Sequence, residues 1–90
     1  VAQSRAEPEN TRNQAARYNT QLGIAYLKQD NLQAAQEKID KALEQNPRDP
    51  NAHIAAALLY ERLRDPRKAD QHYSRALRLD PKNPDMQNNY

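Results

Sequence analysis

Two histidines are the side chains of this sequence best suited to metal binding or acid–base chemistry. His53 and His72 lie 19 positions apart, on two different predicted helices. A protein zinc site usually takes about four converging ligands, and two histidines do not supply that number. The sequence has no cysteine, no Ser/His/Asp pattern and no glycine-rich phosphate loop. We therefore expect no enzyme activity, no metal site and no cofactor.

Basic side chains concentrate in the second half of the chain, although the formal net charge is only +2. Such an excess can attract an anionic partner such as nucleic acid. Base stacking would also need interleaved aromatic residues, but Tyr60 and Tyr73 are required inside the predicted fold. We therefore expect a solvated basic face and no nucleic-acid binding. The basic residues are Arg62, Arg64, Arg67, Lys68, Arg75, Arg78 and Lys82.

The composition is that of exposed helices around a thin core. The chain has 90 residues, of which 37% are hydrophobic and 29% charged, with a single glycine. No segment approaches the roughly 18 consecutive apolar residues of a membrane helix, so no membrane span is expected. The absence of cysteine from the sequence leaves both cytosol and periplasm open. Because the chain begins at Val1 rather than Met, we expect a processed or trimmed product.

An internal repeat of 34 residues organises the chain. Asn46-Pro47 and Asp80-Pro81 are separated by this step. The spacing and residue types match the tetratricopeptide repeat, a helix–turn–helix unit that buries its apolar face by stacking on its neighbours. We therefore predict an all-α fold, an α-solenoid of tandem tetratricopeptide units. The same step pairs Tyr26 with Tyr60, Ala35 with Ala69, Ala42 with Ala76, and Leu43 with Leu77.

The register divides the chain into four segments. Residues 1–15 are a polar N-terminal linker and helix extension, 16–49 the first repeat, 50–83 the second, and 84–90 the start of a truncated third. An unfinished third unit would leave apolar surface of the last full helix uncovered, which favours self-association of the fragment.

Local signals give the helix boundaries. Asn31 and Asp65 are suited to cap the helices that follow them. Pro66 stands in a first turn, where its missing N–H costs nothing. Asp30 and Arg64 occupy turn positions that usually hold glycine, and because arginine tolerates a left-handed backbone poorly, we expect the second turn to differ. The predicted helices cover 11–29, 32–45, 51–63 and 66–79, with a helical stub after Pro84.

The repeat also predicts which residues are buried. Small residues are expected where paired helices cross, and a tyrosine fills the space one turn further on. Tyr18 is expected to be half-buried at the base of the first helix. His53 takes a position that usually holds tryptophan, so we expect it to pack between helices with its polar edge towards water. The least exposed residues should include Gly23, Tyr26, Ala35, Ala42, Ala57, Tyr60, Ala69 and Ala76.

Further details resemble one family, the type IV pilus biogenesis/stability proteins (PilF/PilW pilotin lipoproteins). The resemblance covers residues 17–90. The proline that opens the second unit's second helix and the Asn-Asn-Tyr run near the end carry most of it. The matching segments are Gln21-Leu22-Gly23-Ile24-Ala25-Tyr26-Leu27, Lys41-Ala42-Leu43, Asn46-Pro47, Ala52-His53-Ile54-Ala55, Asp65-Pro66-Arg67-Lys68-Ala69-Asp70 and Asn88-Asn89-Tyr90.

This resemblance implies a function and a location. Proteins of this family have about six repeats and a lipidated N-terminal cysteine, and they help the pilus secretin reach the outer membrane and assemble there. It therefore implies a periplasmic pilotin with a lipid tether upstream of Val1. Its partner would be the pilus secretin subunit or another pilus assembly protein.

The alternative is a generic tetratricopeptide scaffold or adaptor, in the cytoplasm, that binds a peptide of another protein. One subclass of such adaptors grips acidic C-terminal tails with Lys and Asn on the first helix. Thr20 and Ile24 stand at those positions here, so this mode of binding is not expected.

The predicted protein-binding site is a concave groove formed by the first helix of each unit. Positions spaced i, i+4 and i+7 share one face of a helix. Two interpretations of these residues stay open at this point: they pack between neighbouring first helices, or they form an apolar groove for a partner segment. The six residues are Thr20, Ile24, Leu27, Ile54, Leu58 and Glu61.

Overall fold

The computed structural model describes residues 9–82, with side chains described from Thr11 onward. These residues form four helices and no strand: α1 (Glu9–Lys28), α2 (Leu32–Gln45), α3 (Pro50–Arg62) and α4 (Pro66–Leu79). The predicted all-α fold is confirmed, and each of the four predicted helices is confirmed to within two residues at either end. The predicted stub after Pro84 and most of the predicted linker lie outside the described residues.

Side-chain caps start three of the helices. Asn31 accepts a hydrogen bond from the backbone N–H of Ala34 at 3.3 Å, and Asp65 accepts one from that of Lys68 at 3.2 Å. Asp49 also caps α3, through the backbone N–H of Asn51; this cap was not predicted, and it places Pro50 at the first helical position. Because a proline fits there without loss of a hydrogen bond, α3 begins one residue earlier than predicted.

The two helix–helix turns have the same left-handed conformation, so the expectation that the second would differ was wrong. The φ angles are 61° at Asp30 and 63° at Arg64. In both turns the next residue's N–H donates across the turn, from Asn31 to the Tyr26 carbonyl at 2.9 Å and from Asp65 to the Tyr60 carbonyl at 2.8 Å. This hydrogen bond requires a left-handed residue before its donor, and it holds Arg64 there.

Helix α3 lies at the centre of the fold. It packs against α4 within its own pair and against both α1 and α2 of the preceding pair. Its alanines let neighbouring helices approach closely on several sides, and Leu59 is fully buried among Leu27, Ala35 and Ile39. A second cluster, with Ala69 and Tyr73, fills the space between α3 and α4. The buried residues of α3 are Ala52, His53, Ile54, Ala55, Ala56, Ala57 and Leu59.

The small residues at the helix crossings are buried as predicted. A Cβ atom on Gly23 would lie 2.5 Å from Cγ1 of Ile39, so only glycine fits there without movement of its neighbour. Tyr26 and Tyr60, by contrast, are only half-buried, and their predicted deep burial was wrong. A tyrosine at the edge of a helical pair packs its ring and leaves its hydroxyl near water. The buried crossing residues are Gly23, Ala35, Ala42, Ala57, Ala69 and Ala76.

The prediction for Tyr18 was also wrong. Its side chain is 63% exposed rather than half-buried. Ala16 and Thr20, two residues to either side, are buried against the rest of the fold. Since two residues correspond to about 200° around a helix, Tyr18 points away from the face that they share.

Candidate protein-binding groove

A groove with an apolar centre runs between α1 and α3. It consists of two adjoining depressions with volumes of about 340 Å³ and about 170 Å³. Ile24 and Leu58 line both depressions and therefore join them into one groove. Arg17 and Asp49 lie at one end, and the charged side chains of the second depression lie at the other.

All six residues of the predicted site line this groove. They are brought together because α1 and α3 pack side by side, and because the i, i+4, i+7 positions of each helix face the same way. The repeat register therefore located a surface feature from spacing alone. Partner binding at this groove stays a prediction.

The six residues differ in what they can offer to a partner. Thr20, Leu27 and Ile54 are buried, with 4%, 4% and 8% of their surfaces exposed. Leu27 and Ile54 belong to core clusters, and the Thr20 hydroxyl donates a hydrogen bond to the Ala16 carbonyl at 2.8 Å. These three residues form the floor of the groove and also stabilise the fold.

The remaining three residues are accessible. Ile24 and Leu58 are half-buried, and Glu61 is exposed. The Tyr73 hydroxyl donates a hydrogen bond to the Glu61 carboxylate, and burial, followed by this negative charge, raises the pKa of Tyr73. The two open interpretations therefore apply in different degree: three residues are buried in the fold, and three are accessible from the groove, although Ile24 and Leu58 also pack against the core clusters.

Arg62 joins the two walls at one end of the groove, which sequence reasoning missed. Its Nη1 donates to the Leu27 carbonyl at 3.1 Å and lies 3.4 Å from Oδ1 of Asp30. The guanidinium thus satisfies a carbonyl in the last turn of α1, where the helix dipole favours a cation. The contact spans 35 positions of sequence, and no local spacing signals it.

Asp49 is the second groove residue that the sequence did not single out. Its Oδ1 accepts the N–H of Asn51 at 3.0 Å and so caps α3. Its Oδ2 is buried and has no hydrogen-bond partner among the described residues. An aspartate directly before a proline is a signal for such a cap and would have identified it.

The two histidines meet in the second helical pair. Nδ1 of His53 lies 3.0 Å from Nδ1 of His72, and Nε2 of His53 lies 2.8 Å from the Pro47 carbonyl. His53 packs between helices as predicted, but only 8% of its surface is exposed, so the expectation that its polar edge faces water was wrong. Its neighbours supply hydrogen bonds to both ring nitrogens, which allows the whole ring to be buried.

Two further properties concern residues 9–82. Within this range, no group of three or more His, Cys, Asp or Glu side chains is placed to hold a metal ion. None of the helices α1–α4 combines the length and the apolar character that crossing a membrane requires.

Two helix–turn–helix pairs in a 34-residue register, stacked through α3, define a helical repeat protein of the protein-interaction class. The tetratricopeptide repeat profile matches residues 20–89, and the chain belongs to that family.

Individual relatives give more detail than the family match. The chain is 34% identical over 88 residues to the type IV pilus assembly protein PilF of Pseudomonas aeruginosa, covering 98% of this chain and 35% of PilF. A solved structure of P. aeruginosa PilF superimposes with a TM-score of 0.84 at 36% identity, covering 89% of this chain and 36% of that one. The chain therefore spans about a third of the length of PilF.

Two other relatives share sequence similarity with this chain. A Haemophilus influenzae protein described only as uncharacterized is 33% identical over 84% of this chain and 42% of its own length. A protein O-mannosyl-transferase of Caenorhabditis elegans is 32% identical over 76% of this chain but only 10% of its own length.

Proposed function

We propose that this chain is a non-catalytic protein-binding module that holds a segment of a partner protein in the groove between α1 and α3. The observation that carries this proposal is the pair of half-buried apolar side chains, Ile24 and Leu58, at the centre of the groove. Apolar surface that the fold leaves open in a concave site is a common feature of peptide-binding grooves. The tetratricopeptide family, whose members bind other proteins, supports the same function.

We further propose that the chain acts in type IV pilus assembly, as part of a pilotin that helps the secretin subunit reach the outer membrane and assemble. The identity to PilF and the TM-score of 0.84 support this proposal. The chain would then work in the periplasm, tethered to the outer membrane. Residues 16–49 and 50–83 would be its repeat units, followed by a third unit that begins at 84–90.

The groove is tested by charge substitutions on its accessible residues. Ile24→Glu and Leu58→Glu place a carboxylate in the apolar centre, and each should weaken binding of the purified pilus secretin subunit at least tenfold. Ala25→Glu is the matched control, because Ala25 is exposed, adjoins Ile24 and does not line the groove. It should leave the affinity unchanged.

Thermal unfolding of each variant distinguishes lost binding from lost folding. Because Ile24 and Leu58 are only half-buried, their variants should stay folded at the temperature of the binding assay. Ile54→Glu should unfold the domain instead, because it buries a charge in the α3–α4 core. Normal secretin binding by folded Ile24→Glu and Leu58→Glu would overturn the groove proposal.

A generic adaptor is the second candidate function. The match to a short part of the C. elegans transferase favours it, since related repeats also occur in a protein unrelated in name to pili. Fractionation of the native cells separates the two candidates. The pilotin proposal requires the protein in the outer-membrane fraction, whereas the adaptor requires it in the cytoplasm.

A further inference from the structure

The hydrogen bonds around the two histidines determine which ring nitrogens carry protons. The Pro47 carbonyl can only accept, so Nε2 of His53, 2.8 Å away, must donate to it. In neutral His53 the other nitrogen, Nδ1, is then an acceptor. His72 must therefore donate its Nδ1–H across the 3.0 Å gap. One arrangement of protons satisfies both contacts when both rings are neutral.

This chain of hydrogen bonds ties three parts of the fold together. His53 belongs to α3, His72 to α4, and Pro47 to the connection between α2 and α3. The ring of His72 also stacks on that of Tyr60, with 5.6 Å between centroids and 8° between planes. The pair thus lies where the second helical pair joins the first.

Successive protonations act differently on the pair. A first proton can bind Nε2 of His72, and the charged ring still donates Nδ1–H to His53. A second proton would have to bind Nδ1 of His53, where two N–H groups would then face each other across 3.0 Å. The hydrogen bond between α3 and α4 cannot exist in that state, and two positive charges would lie in contact.

We propose that the His53–His72 pair is an acid-sensitive clasp, which holds α4 and the α2–α3 connection on α3 at neutral pH and releases them when both rings are protonated. The clasp regulates the integrity of the second helical pair whether or not the groove binds a partner.

Charged groups of α2, α4 and the α2–α3 connection act on the pair. Asp49 in the α2–α3 connection favours the charged form of His53, and Arg75 of α4 opposes it. Asp40 of α2 favours the charged form of His72, whereas His53 itself and Lys68 of α4 oppose it.

Burial is nevertheless the largest influence on both rings, and it lowers the pKa of each below its ordinary value of 6.5. The unfolded chain therefore binds more protons than the folded chain in this range. Stability is complete above pH 6.5 and falls as the pH drops towards the lower pKa values of the folded state. Each additional proton bound on unfolding raises the unfolding equilibrium constant by about tenfold per pH unit.

The pH dependence of unfolding tests the clasp directly. Between pH 7.5 and 5.5, above the ordinary carboxylate range, the two histidines are the only side chains of the sequence with an ordinary pKa inside the window. Urea unfolding of the 90-residue chain should show the unfolding constant rising as the pH falls through the lower half of this window, by up to about tenfold per pH unit for each additional proton bound on unfolding. His53→Gln and His72→Gln keep amide groups in place of the ring nitrogens and should each reduce that slope strongly.

A matched control distinguishes the effect of the buried histidine pair from the effect that any added histidine would have. Gln71→His adds an exposed histidine next to the pair and should leave the slope as it is in the unchanged chain. Imidazole ¹⁵N shifts of the unchanged chain at pH 7.5 give a second test that needs no variant. His53 should be protonated at Nε2 and His72 at Nδ1. A flat pH profile, or His72 protonated at Nε2 in its neutral form, would overturn the proposal.

Discussion

The two helical pairs, α1–α2 and α3–α4, have matching backbones and different side chains at the points where their helices meet. Both turns place a left-handed residue before the donor of a hydrogen bond to a tyrosine carbonyl. At the helix crossings, however, Gly23 meets Ile39 in the first pair, whereas Ala57 lies in one cluster with Tyr73 in the second. The size of the small residue is thus set by the shape of its partner across the crossing.

The pairs also differ in how many neighbours they have. Leu59 is fully buried at the centre of the fold, whereas Ala25, 34 residues earlier, is exposed. The reason is that α3 has the first pair on one side and α4 on the other, while nothing among the described residues covers the same face of α1. The same repeat position therefore needs a large apolar side chain in the second unit, whereas packing sets no such requirement at the exposed Ala25.

The outer faces of α2 and α4 diverge further than the cores. These positions are exposed, so core packing restricts their charge little. The face of α4 is basic, and that of α2 carries both signs. At matching exposed positions, Glu37, Lys41 and Glu44 of α2 correspond to Gln71, Arg75 and Arg78 of α4.

The largest expected effect comes from removing the central side chain that distinguishes the two pairs. Leu59→Ala should lower the free energy of unfolding by about 2–5 kcal/mol, because it opens a cavity between both pairs. A domain of this size has roughly 3–5 kcal/mol of core stability, so circular dichroism should show a largely unfolded chain at 37 °C. Ala25→Ser at the matching position should change the free energy of unfolding by less than about 0.5 kcal/mol. Equal effects at the two positions would contradict the central role of α3.

A smaller effect is expected at the first crossing. Gly23→Ala places a Cβ atom 2.5 Å from Ile39, which is buried and β-branched and so cannot easily rotate away. Overpacking of this kind costs about 1–3 kcal/mol, against a gain of about 1 kcal/mol in helix propensity. Urea unfolding should therefore show a net loss of up to about 2 kcal/mol in the free energy of unfolding.

The reverse substitution in the second pair completes the comparison. Ala57→Gly should also destabilise the fold, by about 0.5–1 kcal/mol from backbone entropy, with a further loss of packing in its cluster. If Gly23→Ala instead stabilised the chain, the close approach to Ile39 would not limit the size of this residue.

Most of the fold could be predicted from the sequence because the repeat fixes it redundantly. The 34-residue step, the prolines and the capping side chains each indicate the same helix ends, and small residues mark the crossings. Tyr18 escaped this logic because its counterpart 34 residues later, Ala52, is a residue of another type, so the repeat does not indicate how exposed a tyrosine is at this position. Tyr26 and Tyr60 occupy matching positions of the two repeats, but a repeated position does not show how deeply a large amphipathic side chain is buried.

The groove and the histidine pair show what spacing can and cannot reveal about a site. The groove follows from helical periodicity on α1 and α3, so its six residues could be predicted. Contacts between different helices are harder, and both Arg62 and the His53–His72 pair were missed. A signal for the pair did exist: His53 lies one turn before Ala57, and His72 about one turn after Ala69. Because α3 and α4 are antiparallel, one turn back along α3 and one turn forward along α4 point the same way from the crossing at Ala57 and Ala69. The two histidines are therefore expected to lie side by side.

The smallest expected effect concerns the two helix–helix turns. Their backbone conformations are the same, but the left-handed residue is aspartate in the first turn and arginine in the second. A left-handed conformation costs an ordinary L-residue about 1–2 kcal/mol, and aspartate less than arginine. Arg64→Gly removes this strain but adds freedom to the unfolded chain, so we expect a net gain of about 0.5–1 kcal/mol. Asp30→Gly should gain less, since it also loses the contact of this exposed carboxylate with Arg62. Urea unfolding of both variants at pH 7.5 measures the difference. A larger gain at Asp30 than at Arg64 would contradict the expectation that arginine is the more strained residue in this conformation.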